Sequence, residues 1–514
     1  MKVSKVQRFS SACVLFASCL FLLVECATAV AQPPARRGFS GEMRRGTPSQ
    51  TEQTEEKKKE EPKKPKEIVA VVGGDIITIA RETVRGGTIL IEDGKITEVG
   101  QRVEIPESAK RIDATGKTIT PGFIAIEMSG VGLTSGTDPA KYTDSLDPFD
   151  RNISLSLSVG ITTGCIELRE GGGFGRRGRG EDFPITERFL GFDPDEKELA
   201  AYDESKSDFG EYVSLCQCCG LPILPTEPIT NAPPTAITPS KSAVIKMSFG
   251  KLDGMLVTAS PFLDLTPGSL SGALNQHNWR EQLAKARKYL VDQAEHEKAT
   301  AAGKRQTPPR KPVSDEVLRL VKGEIALRIA ANTVSDIRDM INLSKELDYK
   351  LVISGAAEAW VIPEELSEAN VQVVMTPRSR RQPRFGEEAT TGTWIEMPRV
   401  LEATGVPFAL STLSNSISLN GLAGRDLTSL PLEAAFAIRG GASTRGALAA
   451  LTITPATMLG LDKRIGTIEP GKDADLLIFS GDPLDYRTYV ETALVDGRVV
   501  YERKVDRVLP DHEG

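Results

Sequence analysis

Thr120-Pro121-Gly122-Phe123-Ile124-Ala125-Ile126-Glu127-Met128-Ser129 is the stretch from which the fold is read. It is an apolar run introduced by Pro-Gly and closed by a carboxylate and a hydroxyl. The chain before it and the chain at the far end read alike. Upstream, residues 68–72 are apolar and β-rich, and residues 86–100 hold two short strands around Asp93-Gly94. That dipeptide supplies the positive φ of a tight hairpin. Residues 111–119 read as another pair of strands around a turn. Downstream, residues 473–479 are a strand and residues 493–501 a second hairpin, turning at Asp496-Gly497. Two β-rich blocks flanking a long middle predict one small sheet domain built from both ends of the chain, residues 68–119 and 465–507.

The middle alternates short apolar strands with helical stretches. Strands are expected at 160–164, 243–247, 325–329, 350–354, 371–375 and 407–411, with helices at 334–347 and 363–370. Such alternation means parallel strands joined by helical crossovers. Residues 120–464 are long enough for a (β/α)8 barrel with insertions. The stretch 279–322, with Gly303 and Pro308-Pro309 inside it, reads as an insertion rather than one helix.

Near the C-terminus stands a long signature. It runs Leu451-Thr452-Ile453-Thr454-Pro455-Ala456-Thr457-Met458-Leu459-Gly460-Leu461, then Arg464-Ile465-Gly466-Thr467-Ile468-Glu469-Pro470-Gly471-Lys472-Asp473-Ala474-Asp475-Leu476. With the terminal sheet blocks and the Pro-Gly-Phe-Ile opening, it resembles the imidazolonepropionase-like branch of the amidohydrolase superfamily over about residues 68–507. The resemblance implies an α/β fold: a (β/α)8 TIM-like barrel at 120–464 plus a composite β-sandwich. It also implies hydrolysis of non-peptide C–N bonds. One or two divalent metals such as zinc, held at the C-terminal ends of the strands, would acidify a water there.

The family's opening reads Pro-Gly-Phe-Ile-Asp-x-His-x-His. Here the aspartate position is Ala125 and the histidine positions are Glu127 and Ser129. Carried further by resemblance, Lys246 matches the fourth-strand lysine and Ala330 the fifth-strand ligand. Gly355 matches the sixth-strand histidine and Leu413 the eighth-strand aspartate. Only Lys246 keeps the family's residue. The chain has 3 histidines, His277, His296 and His512, none spaced as a metal pair. No metal cofactor is expected, and no catalytic residue is assigned. Glu127, Lys246, Asn332 and Glu358 are the pocket candidates, with an ion pair between Lys246 and Glu127 expected where the metal would sit. Two function classes stay open. One is a pseudoenzyme: an amidohydrolase homologue without metal-dependent catalysis, which binds a small-molecule ligand and assembles as a homo-oligomer or with an active relative. The other is an active C–N hydrolase using non-standard ligands.

A net charge of -7 and a pI near 5.5 argue against nucleic acid as the partner. Residues 1–31 read as a secretory signal, with Lys2, Lys5 and Arg8 before a brief apolar run and small-x-small cleavage sites at 27–31. An exported, periplasmic or extracellular protein is expected, and lipid anchoring at Cys26 is an alternative. Residues 32–67 are a charged, Pro-rich linker that cannot bury enough to order itself. Residues 508–514 are a tail. Cys216, Cys218 and Cys219 cluster in an exported chain where disulfides are allowed, and their pairing, with Cys165, stays open. The glycine- and arginine-rich segment 170–180 reads as a surface loop.

Overall fold

The computed structural model describes residues 67–132, 145–168, 241–413 (without 267 and 306), 415, 417 and 430–506. The expected signal, nearly all of the linker, the tail, the segment 170–180, Cys26 and the cluster at 216–219 lie outside them.

Seventeen strands and ten helices are described in these residues. The first block holds β1 (Ile68–Ile76), β2 (Val84–Glu92), β3 (Lys95–Gly100), β4 (Lys110–Asp113) and β5 (Thr118–Pro121). Next come β6 (Phe123–Met128), α1 (Arg151–Ser158), β7 (Ile161–Leu168), β8 (Lys241–Lys246), β9 (Leu256–Ala259) and β10 (Phe262–Leu265). Helices α2 (Ala273–Ala301) and α3 (Asp315–Val321) precede β11 (Ala326–Ala331), α4 (Val334–Leu347), β12 (Leu351–Gly355), α5 (Pro363–Glu368) and β13 (Gln372–Met375). Then follow α6 (Met397–Ala403), β14 (Phe408–Leu410), α7 (Leu430–Arg439), α8 (Thr444–Ala449) and α9 (Ile453–Met458). The chain closes through β15 (Leu476–Phe479), β16 (Val490–Val495), β17 (Arg498–Glu502) and α10 (Arg503–Asp506).

Strands from the two ends meet in one sheet, ordered β17-β16-β15-β5-β1-β2-β3, with β4 also paired to β1. The junction is the antiparallel pair β5–β15, where Pro121 faces Leu476. Both Asp-Gly turns form as read. Asp93 and Gly94 take φ of 48° and 81°, and Asp496 and Gly497 take 49° and 72°. The two turns pack together: Ala474 N–H donates to Gly94 O, and Gly497 N–H to Ala474 O. The strands at 110–113 and 118–121 do not pair with each other; each lies parallel to β1. Val71, Ile89, Ile119, Leu476 and Leu494 form the core of this sheet.

The middle is a mixed α/β arrangement of two further sheets. One is parallel throughout, in the order β10-β11-β12-β13-β14; the other runs β6-β7-β8-β9. All six expected strands are present. Strand β8 departs from the expectation in direction, for it is antiparallel to both β7 and β9. Two short strands, β9 and β10, went unread. The stretch 279–322 divides as its glycine and prolines dictate: α2 ends before Gly303, and α3 begins at Asp315. On one face of the strands, Leu327, Ile329, Ile353 and Val373 pack against Ile337 and Ile341 of α4. On the other face, Ile124, Phe262, Ala326, Val352, Val374 and Ala409 form an apolar interior. The signature residues Ala456, Met458, Leu459 and Leu461 pack into that interior.

Candidate ligand site at the strand ends

Glu127 is the centre of the site. It is half-buried at the C-terminal end of β6. Its carboxylate reaches across to the parallel sheet. Ser354 Oγ, on β12, donates to Oε1 at 2.7 Å, and Ser411 Oγ, just after β14, donates to Oε2 at 2.9 Å. Each carboxylate oxygen therefore holds one hydrogen bond and keeps room for another.

Beneath Glu127 lies a charged pair that the sequence reading did not single out. Arg328 of β11 and Asp264 of β10 are both buried, with Nε 2.5 Å from Oδ1. Ser242 Oγ donates to the other Asp264 oxygen at 2.6 Å. Arg328 Nη1 donates to Ile126 O on β6 at 3.0 Å, and the guanidinium lies 4.6 Å from the centre of the Phe262 ring. Burial opposes the arginine's charge, but Asp264 and Glu127 outweigh it and hold the group more firmly charged than usual. Cys165, free and buried beside this pair, has its thiol pushed up to about 12, chiefly by burial. It is a neutral thiol, not a nucleophile. The signal for the pair was in the sequence: a lone charge within each of two apolar strands, Ala326–Ala331 and Phe262–Leu265. Charged side chains are almost never fully buried unless paired.

The other expected site residues fall elsewhere. Lys246 is not opposite Glu127. Because β8 runs antiparallel, Lys246 pairs with Thr163, level with Ile124. Three residues of strand, about 10 Å, separate that level from Glu127. Nor is β8 the neighbour of β11; that strand is β10. Lys246 instead reaches Asp473 at 2.9 Å, Asp475 at 3.1 Å, and Asp496. Arg464 and Lys95 each reach Asp473 at 2.8 Å. Burial opposes the Lys246 charge, and the three carboxylates overcome it and raise the lysine above its usual range. Burial likewise works against the Asp473 charge, yet Lys246 and Lys95 bring that carboxyl down to about 2. Asp475 goes the other way, raised chiefly by burial.

Glu358 is a buried brace. It accepts from Val334 N at 2.9 Å and Gly392 N at 3.0 Å, and lies 3.3 Å from Arg381 Nε. Asn332 accepts weakly from Ala357 N at 3.4 Å. A Cβ built at Gly355, whose φ is +81°, would lie 2.5 Å from Asn332 Oδ1. Ser129 Oγ lies 3.3 Å from Asn415 Oδ1, Ala330 carries no donor, and Leu413 is 58% exposed. These side chains do not fit a catalytic metal. Among the described residues, no three His, Cys, Asp or Glu side chains are grouped so as to hold one. His277 is exposed on α2, 3.5 Å from Glu281.

Residues 323–501 match the Amidohydrolase family. The amidohydrolase tasK of Hapsidospora irregularis is 23% identical over 445 residues, which cover 82% of this chain and 40% of that protein. The chain thus spans well under half of that relative's length. The dihydroorotase of Anaeromyxobacter sp. strain K is 36% identical over 62 residues, 12% of this chain and 14% of the other. Among solved structures, an amidohydrolase from Thermotoga maritima MSB8 shares the fold, with a TM-score of 0.55 and 23% identity. The match covers 85% of this chain and all of that one.

Proposed function

We propose that this chain, a member of the amidohydrolase superfamily through its domain at 323–501, binds a small molecule at the strand ends without metal-dependent hydrolysis. One observation carries the reading. The carboxylate at the first expected metal position is bonded on both oxygens to serine hydroxyls, and an Arg–Asp pair occupies the space below it. A metal there would have to displace those bonds and sit close to a guanidinium, which Coulomb repulsion opposes. Elemental analysis of the purified protein, with and without added zinc, is the test. Less than a tenth of a metal ion per chain is expected. Stoichiometric zinc, iron or manganese together with hydrolysis of a C–N amide would favour the alternative, an active hydrolase with non-standard ligands.

The same proposal extends to architecture and placement. The two central sheets are read as the staves of a (β/α)8 barrel, cross-braced by Arg328 to Ile126 O and by Glu127 to Ser354 and Ser411. The terminal sheet is read as folding over itself into a sandwich around Val71 and Leu476. Export rests on the first 31 residues, and mass spectrometry of the N-terminus of secreted material tests it. Assembly with itself or with an active relative rests on the missing donors alone, and light scattering tests the first of these.

A further inference from the structure

We infer that the chain holds a second ligand site, one for a small monocarboxylate with a compact apolar body. It lies at the opposite end of the parallel strands from Glu127 and does not depend on the reading of the strand ends. The first observation is a cavity of about 480 Å³, lined in part by Ala326, Leu351 and Gln372. These are the first residues of β11, β12 and β13. Ser354, which holds Glu127, lies three residues further along β12, about 10 Å on. The cavity floor is apolar: Ile325, Ala326, Leu351, Met458, Leu459 and Leu461 line it and are all buried. The last three come from the end of α9 and the turn that follows it.

The second observation is the set of polar groups around that floor. Arg319, Lys350 and Glu324 are the charged residues lining the cavity. Arg319 Nη1 donates to Ser260 O at 2.9 Å and to Ala259 O at 3.3 Å, and its Nε lies 3.7 Å from Glu324. Lys350 Nζ donates to Gly323 O at 2.8 Å and has no ion pair among the described residues. The side-chain amides of Asn370 and Gln372, also in the lining, have no hydrogen bond among the described residues. Two cations against one carboxylate leave one positive charge, and Lys350 and Gln372 keep N–H groups to donate. A cationic ligand would meet like charge. An exposed ion pair alone contributes little in water, so a bare anion such as acetate or phosphate would gain little and leave the floor uncovered. Covering the floor adds a gain that grows with the apolar area removed from water. A monocarboxylate carried on an apolar body meets both conditions.

The test uses the whole chain and four probes: phenylacetate, phenethyl alcohol, acetate and inorganic phosphate, titrated by ligand-observed NMR near neutral pH. Phenylacetate is expected to bind about tenfold or more tightly than phenethyl alcohol. Acetate and phosphate are expected not to bind. Lys350→Met removes the unpaired charge but keeps an apolar stem, and should bring phenylacetate down to the level of the alcohol. Gln372→Trp keeps both cations and fills the cavity, and should abolish binding of both aromatic probes. Lys288→Met, at an exposed position on α2 outside the cavity, should change nothing. Equal binding of phenylacetate and phenethyl alcohol would overturn the inference. So would acetate or phosphate binding as tightly as phenylacetate, which would mark an adventitious anion only. Phenylacetate affinity that is unchanged in Lys350→Met or Gln372→Trp, with a cooperative melt, would overturn it as well. The comparison of probes on the parent chain decides the matter even where a variant fails to fold. None of these outcomes bears on metal content, so the strand-end reading stands or falls separately.

Discussion

Lys246 shows how far a single residue could be read. Its place in an apolar strand meant a buried ammonium, and a buried ammonium needs carboxylates; both hold. Its partners were misread because strand direction is not written in composition. Parallel order was inferred from alternation, and β8 breaks it. Lys246→Met takes the shared cation from Asp475 and Asp496, while Asp473 keeps Arg464 and Lys95, and should cost on the order of 3 kcal/mol or more. Combined with Glu127→Leu, the losses should add to within about 0.5 kcal/mol, since the side chains do not share partners. Urea melts of the two single variants and the double check this, and a larger coupling would bring the two residues back together. Asp473 adds a pH dependence. Its folded pKa of about 2 lies below the usual 3.8, so its contribution is complete above pH 4 and is lost as pH falls toward 2. The raised Asp475 gains on protonation and makes that loss shallower. The raised Lys246 contributes fully at neutral pH and fades only in strong base. Asp473→Asn should be less stable at pH 7, and its deficit relative to the parent chain should shrink as pH falls from 4 toward 2, as followed by the urea midpoint.

At the scale of elements, the turns were legible and the braces were not. Asp93-Gly94 and Asp496-Gly497 fixed two hairpins because few dipeptides tolerate two positive φ angles in succession. The six apolar strands showed through their composition. Strands β9 and β10, four residues each, are too short to carry a period. The site's hydroxyls were invisible because serine is common and its partner comes from another sheet. Glu358 holds the start of α4 through Val334 N and the loop at Gly392. Glu358→Ala leaves two N–H groups and Arg381 without their acceptor, and should cost about 2–4 kcal/mol. Increased amide exchange confined to the first turn of α4 and residues 390–393 would identify the cause. Arg328→Met takes the arginine from the buried Asp264 and should cost about 3–5 kcal/mol, and adding Asp264→Leu should restore much of it. Thermal melts of the pair decide whether the interior requires the ions or only their volume.

At the scale of the molecule, the contribution of both termini to one sheet was legible from the likeness of the two blocks, and the path of that sheet was not. The described residues from 67 to 506 fall in one compact unit, so the sheet and the strands of the middle are not separable bodies. A chain ending at residue 464 loses β15, β16 and β17 and the carboxylates of Lys246. It should show no cooperative melt by circular dichroism, and a folded truncated chain would refute this interdependence.

The β5–β15 pair has a consequence in time. Pro121 and Leu476 are neighbours in space, yet a ribosome makes them hundreds of residues apart. Until the last strands leave the exit tunnel, β5 presents a bare edge, and Lys246 has none of its three aspartates. Contacts so distant in sequence close slowly, and exposed edges in the interval invite aggregation. The nascent chain therefore spends most of its synthesis without the element that completes it. A factor that shields an open strand edge during translation should raise the yield of folded chain.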